Sequence, residues 1–420
     1  MNRTRRAFRV LRVLAAVLVA GTAWTAVPAG PAVAQVKALR VGVANSYTGV
    51  AIPYTIPEKE AMLLAVEEIN AAGGVLGRPL ELAFRDDKLR PDLGLTNLQE
   101  LVYQEKVELI LGPFSSGVSL AFADWAKQHK RLFIATIAAT HRLTNEFWNP
   151  YVFRVNQHVF FTGRALARVA AKLPHKRYAV IGQDYEGGRV PWDAFLEVLK
   201  KEKPGVEVVS QQFPKLGETD FTPYITATLA ARPEAVFVTL FGTGFQQFVL
   251  QAKPYGFFDK VQLIGPYSGR PDDHRGLGAE APEGMLLNGY PWSADIAPFS
   301  SPPHREFVDK IRKRTGNWPV WGSITGYIAV KAAAAGVTKA GTTDNEKVIK
   351  ALEKLPIDTP LGRMHFRDFD HQLTIPAWIG WSKVDPKIGE MTLTRIQEIP
   401  AEQGLQTKEE ILEIRAKAKK

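Results

Sequence analysis

Residues 108–128, ELILGPFSSGVSLAFADWAKQ, decide the fold. Val107, Leu109, Ile110 and Leu111 form the short apolar run of a strand covered on both faces, and Gly112-Pro113 ends it abruptly. Leu120, Ala123, Trp125 and Ala126 then recur at roughly helical spacing, which predicts a helix beginning near Ser116. A strand that turns within a few residues into a helix is the unit of a parallel α/β sheet. Ser115, Ser116 and Gly117 fall where a helix leaves its first N–H groups unpaired, so they form a cup suited to an anion. The same serines also satisfy the simpler role of an N-cap.

The unit repeats outward from there. LRVGVA (39–44) reads as a buried strand, and PEKEAMLLAVEEINAAGG as a helix with Pro57, Glu58 and Glu60 in its first turn and an end at Gly73-Gly74. LELAF, a helix through Leu101, and RLFIAT (131–136) complete four strands alternating with helices. A second series begins after YVFRVN (151–156): strands RYAVIG, VEVVSQ, AVFVTLF and VQLIG alternate with helices near 160–171, 191–201, 221–231 and 245–252. Beyond Gly284 the order changes to GMLLNGYPW, then helices near 304–315, 325–335 and 345–355. In GRMHFRDFDHQLTIPAWIGWSKV, alternation on either side of Asp368–His371 predicts a β-hairpin. From Ala401 the chain is charged and lacks turn signals, which is compatible with a helix. The fold class is therefore α/β, two doubly wound parallel-sheet halves whose strand ends face a common cleft, the place where open α/β sheets bind ligands.

The first 34 residues contain five arginines, an apolar stretch from Val13 to Ala20, and Ala32-Val33-Ala34, the pattern of a secretory signal peptide cleaved after Ala34. Thr4-Arg5-Arg6-Ala7-Phe8 also resembles a twin-arginine export signal. The apolar core is too short for a membrane anchor, and the expected location is the periplasm. The net charge of +10 falls by five, to +5, without Arg3, Arg5, Arg6, Arg9 and Arg12, so nucleic acid is not an implied partner. With no cysteine there is no disulfide, thiolate metal site, cysteine nucleophile or lipidated cysteine. No metal and no cofactor is expected: Asp272-Asp273-His274 lie adjacent in a loop, where they do not converge on one ion unaided, and HFRDFDH reads as a solvated turn. The chain lacks Gly-x-Gly-x-x-Gly after its first strand and a phosphate loop, and GPYSG has its serine one place late for a nucleophile elbow. No catalytic constellation is seen, although a secreted enzyme or a ligand sensor on the same fold stays as an alternative.

LRVGVANSYTG, AVEEINAAGGVLGRPLELAFRDD, LILGPFSSGVSLA, IAATHRLT, DYEGG, GETDFTPYI and EGM, in this order, resemble the leucine/isoleucine/valine-binding type of periplasmic solute-binding protein, which serves an ABC importer. The resemblance covers nearly the whole chain after the signal. It implies a type I periplasmic-binding-protein fold whose two lobes, joined by crossover hinge segments, close on a small ligand. Residues 35–156 would form lobe 1, 157–290 lobe 2, 291–365 a return to lobe 1, 366–400 a return hairpin in lobe 2 and 401–420 a tail. It further implies a monomer that delivers its ligand to an inner-membrane permease.

In that family a hydroxyl and backbone N–H groups hold the ligand's carboxylate. The resemblance puts this role on Ser116 with Ser115, together with Ala138 or Ala139 and Thr140, in a segment one residue shorter than the usual pattern. It puts the aromatic walls on Tyr54, on Tyr185, and on the loop Phe241–Phe245, which includes Thr243. Where amino-acid binders of the family carry a glutamate for the ligand's ammonium, IGPYSG places Tyr267. A phenol compensates a buried ammonium poorly, which favours an aromatic or other acid lacking that group; Asp184 or Glu186, beside Tyr185, would restore the amino-acid alternative.

Overall fold

The computed structural model describes residues 36–290 and 301–418. The signal sequence with its cleavage point, the stretch 291–300 and the last two residues lie outside the described residues.

The first sheet holds β1 (Leu39–Asn45), β2 (Leu80–Asp86), β3 (Leu109–Leu111), β4 (Phe133–Ala135) and β5 (Val152–Arg154), all parallel, in the order β2-β1-β3-β4-β5. β3 to β5 are buried at every residue, as continuous apolar strands between two helical layers must be. Tyr151–Asn156 thus supplies a fifth strand to this lobe. The second sheet holds β6 (Arg177–Ile181), β7 (Glu207–Gln212), β8 (Ala235–Val238), β9 (Gln262–Gly269) and β10 (Leu286–Gly289). After the small hairpin β11 (Ile357–Thr359) and β12 (Gly362–Met364), the chain returns as β13 (Ala377–Asp385) and β14 (Glu390–Ile399). These two add antiparallel strands at the β10 side, giving the order β14-β13-β10-β9-β8-β6-β7. The helices between 302 and 352 pack back on the first lobe, where Phe307, Trp321, Ile328 and Val348 join its core.

Three sequence expectations change. The helix expected from Pro57 begins at Ile52, with Pro57 inside it. Proline is tolerated there because it removes only one bond, to the carbonyl of Pro53 in the first turn. Glu58 is consequently not a solvated first-turn acid but a fully buried residue. The hairpin expected around Asp368–His371 is present as a short antiparallel turn, with Phe366 opposite Leu373 and Arg367 N–H donating to the Gln372 carbonyl at 3.0 Å, but the long hairpin of the return is β13 and β14, which turn at Asp385–Glu390. The Asp385 carboxylate accepts from Lys387 N–H, and Gly389 takes a positive φ of 73°. At the Asp368–His371 turn His371 Nδ1–H donates to the Val152 carbonyl at 3.0 Å and Arg367 pairs with Asp370. Finally, the Ala-rich helix extends over Trp321–Ala340, because Trp321 and Gly322 pack under the helix 52–71 rather than leading into it as a loop.

The charged end of the chain forms helices Ala401–Gly404 and Lys408–Ala418. Arg415 donates to the carbonyls of Asn145, Phe369 and Thr144 at 3.1, 2.9 and 2.9 Å. Glu410 pairs with Arg164 on the first helix of the second lobe, and Gln406 accepts from the buried Asn145 at 2.7 Å. The tail therefore ties the 141–149 segment of lobe 1 to lobe 2. Arg415→Ala orphans three carbonyls and is expected to lower the melting temperature and expose 401–418 to limited proteolysis. An unchanged digestion pattern would show that the tail is held otherwise.

Candidate functional site

Asn45, the last residue of β1, organises the first wall of the cleft: its side-chain oxygen accepts from Ser46 N–H at 2.8 Å and from Phe114 N–H at 2.6 Å. This fixes the turn after β3, from which the helix Ser116–His129 starts. Ser115 is its N-cap and accepts weakly from Val118 N–H at 3.4 Å. Ser116 and Gly117, in the first turn, have amides with no intrahelical partner. Ser115 and Ser116 are half-buried, and Phe114 lies against Tyr54 with ring centroids 5.2 Å apart.

The opposite wall rises from the carboxyl ends of β6, β8 and β9. Tyr185 caps the helix Glu186–Glu202 and Phe241 the helix Gly242–Ala252. Phe241 stands 6.2 Å from Tyr185 and 6.2 Å, edge-on, from Tyr267. All three rings are half-buried. The Tyr267 hydroxyl donates to the Gly187 carbonyl at 2.7 Å, and burial raises its pKa well above the usual phenol value.

The walls touch at several places. Tyr54 of lobe 1 donates to Asp273 of lobe 2 at 3.0 Å, and the same carboxylate oxygen accepts Gly242 N–H at 2.6 Å. Gly242 is needed there: its φ is +53°, and a Cβ would sit 3.2 Å from the Tyr54 hydroxyl. At another place Thr140 donates to Glu186 at 2.5 Å, with His141 Nδ1 3.4 Å from the same carboxylate oxygen. Burial alone would raise Glu186, but the hydrogen bonds from His141 and Thr140 outweigh it and hold the carboxyl below its ordinary range. Asp272 reaches Trp321 N–H, in lobe 1, at 3.1 Å. Asp272 and Asp273 are both raised, first by burial.

Of the residues expected at the site, Tyr54, Ser115, Ser116, Ala139, Tyr185, Phe241 and Tyr267 are half-buried around this cleft. Four others are differently placed. Phe245 is fully buried in the second-lobe core with Phe221 and Phe248, because it is on the inner face of its helix. Ala138 is fully buried, and its N–H already donates to Pro113 O at 3.0 Å. Thr243 is exposed. Thr140 is 2% exposed and its hydroxyl is engaged by Glu186. The two acids named beside Tyr185 are also committed: Asp184 is exposed and paired with Arg189 at 2.6 Å, and Glu186 serves Thr140.

Sequence reading missed Phe114, Arg270, Asp273 and Trp321. Arg270 directly follows β9, so the strand-end rule reaches it, whereas Tyr267 was placed by the family resemblance. Trp321 and Asp273 carried no comparable signal, since they meet the cleft only through the return of the chain to lobe 1 and the turn after β9. Among the described residues no group of three or more histidine or acidic side chains is placed to hold a metal ion.

Two α/β lobes in contact across an aromatic cleft, with a helix N-terminus opening into it, define a protein built to enclose a small solute. A family profile of periplasmic binding proteins matches residues 38–383, and the chain belongs to that family, in its branched-chain amino-acid type. The leucine-, isoleucine-, valine-, threonine- and alanine-binding protein of Pseudomonas aeruginosa is 24% identical over 379 residues, covering 88% of this chain and 96% of that protein. A branched-chain amino acid ABC transporter structure from Rhodopseudomonas palustris is 26% identical with a TM-score of 0.73, covering 87% of this chain and 98% of the other. A second R. palustris solute-binding protein, in complex with 3,4-dihydroxybenzoic acid, is 23% identical with a TM-score of 0.76 and coverages of 86% and 98%. The protein is thus a periplasmic binding protein of an ABC transporter system. No helix among the described residues is long and apolar enough to cross a membrane.

Proposed function

We propose that the protein is a non-catalytic, monomeric carrier that encloses a small carboxylate-bearing solute, an aromatic acid in preference to a standard α-amino acid, and hands it to an inner-membrane permease. The reading is carried by the aromatic cluster of Tyr185, Phe241 and Tyr267 at strand carboxyl ends of the second lobe and the Ser115–Gly117 helix start at the carboxyl end of β3 in the first: flat apolar surface and an anion cup, with a neutral phenol where an ammonium partner would stand. The relative crystallised with 3,4-dihydroxybenzoic acid shows that this fold accommodates such a ligand. An amino-acid binder is the second reading, favoured by the P. aeruginosa relative and by Asp273 at the edge of the cleft.

A thermal-shift series with benzoate, 3,4-dihydroxybenzoate, L-leucine and L-valine separates the two. The acids should raise the melting temperature and the amino acids should not; stabilisation by leucine alone would establish the second reading. Ser116→Ala should weaken binding of the stabilising acid by about 1.5–3 kcal/mol, the worth of a hydrogen bond to a charged group. Calorimetry giving an unchanged affinity would reduce Ser116 to a helix-start residue. Small-angle scattering should show a smaller radius of gyration when the acid is bound, because closure brings the lobes together.

A further inference from the structure

Arg270 is a second-lobe cation set among first-lobe and hinge residues. It follows β9, and its guanidinium lies over the ring of Trp321, the first residue of a first-lobe helix, 4.6 Å from the centroid. One terminal nitrogen donates to Gln157 in the crossover after β5 at 3.1 Å, and Gln157 is itself held by Pro376 O and Asn288. The Nε–H is buried and has no partner. A buried guanidinium donor without an acceptor is costly unless something else supplies one.

The neighbouring acids do not supply it. Asp273 Oδ1 accepts from Tyr54 and Gly242 N–H, and Asp272 Oδ1 from Trp321 N–H while its other oxygen is buried without a partner; neither carboxylate is hydrogen-bonded to the Arg270 guanidinium. Tyr267 stands three residues before Arg270 on β9, and Tyr54 donates to Asp273, whose N–H donates to the Arg270 carbonyl at 3.0 Å. The fork that stacks on Trp321 is therefore already oriented, which is how arginine recognises carboxylates with little loss of freedom.

We propose that Arg270 is a specificity-determining residue that pairs from the second lobe with the carboxylate or other anionic group of the ligand. At this wall Tyr267 removes the anion of an ammonium site and Arg270, three residues on, adds a cation whose fork is not hydrogen-bonded to Asp272 or Asp273. A ligand carboxylate then finds a donor there that an ammonium cannot use. The inference rests on the carboxylate-ligand reading above.

The test is calorimetry of benzoate and its neutral analogue benzamide with the wild type, Arg270→Met and Arg270→Lys. The wild type should prefer benzoate. Arg270→Met should weaken benzoate about 10-fold or more, with benzamide little changed, since hydrogen bonds to a charged group are worth about 1.5–3 kcal/mol. Arg270→Lys should recover part of the preference for the acid. Arg270→Met that binds benzoate as the wild type does, or that loses benzoate and benzamide equally, would assign the residue to inter-lobe packing and overturn the proposal while leaving the carboxylate reading in place. A wild type that binds leucine but neither benzoate nor 3,4-dihydroxybenzoate overturns both.

Discussion

Arg154→Met should destabilise the protein by about 3 kcal/mol or more, since it strands three buried acceptors at once and each hydrogen bond to a charged group is worth about 1.5–3 kcal/mol. Arg154 ends β5 and is fully buried, with no ion-pair partner among the described residues. Its Nε donates to Gln372 at 2.6 Å, and its terminal nitrogens to the Thr140 carbonyl and the Thr144 hydroxyl. Its backbone is bonded on both sides to the last crossover, to His371 and Leu373. One side chain thus joins the turn after β4, which carries Thr140, to the hinge. Burial lowers the guanidinium to about 9, still charged at neutral pH, so part of the loss is offset by releasing a buried cation. Chemical denaturation should show the lower midpoint; a midpoint equal to wild type would mean that the two offset each other fully. The loosened Thr140 turn should also weaken the Thr140–Glu186 contact between the lobes.

Glu58→Gln should change the pH dependence of stability. Burial pushes the Glu58 carboxyl up to about 8, with the nearby Thr136 hydroxyl and the hydrogen bond from Asn45 pulling the other way. Asn45 donates to one oxygen at 2.5 Å, while the other has no hydrogen-bond partner. As a neutral acid, Glu58 gains an O–H to offer the neighbouring Thr136 hydroxyl, which otherwise has no partner either. The folded state therefore keeps a proton that the unfolded chain, with its ordinary carboxyl near 4.5, releases. The contribution is present in full below about pH 4.5 and is lost as the pH rises through 8. Glutamine keeps the acceptor and cannot ionise. Between pH 5 and 8 the wild type should lose stability relative to Glu58→Gln, on the order of 4 kcal/mol over the full window. A stability difference that stays constant across that range would show that the carboxyl ionises freely in the folded protein.

Continuous apolar strands such as Leu109–Leu111 and amphipathic helices such as Ser116–His129 were legible in the sequence, because a segment covered on both faces or on one stripe must carry that pattern wherever it is placed. The serines at the helix start were legible too, through the rule that ligands gather at strand carboxyl ends, whereas the aromatic positions were implied by the family resemblance. The extent of the return hairpin was not legible, because alternation either side of Asp368–His371 marks only the short turn that sets Phe366 opposite Leu373, and pairing with β10 selects the longer β13–β14 hairpin that turns at Asp385–Glu390. Glu58 read as a first-turn acid until the helix was seen to start at Ile52, which turns that side chain inward against Asn45. Tyr54–Asp273, 219 residues apart, and Arg270–Trp321 depend on two lobes and three crossovers meeting in space. Local sequence by itself determined the elements and the chemistry of the cleft walls, since periodicity and strand-end position are local properties. Tertiary structure alone decided which donors are consumed by the protein and which are left to a ligand, because hydrogen-bond partners are assigned by packing between distant segments.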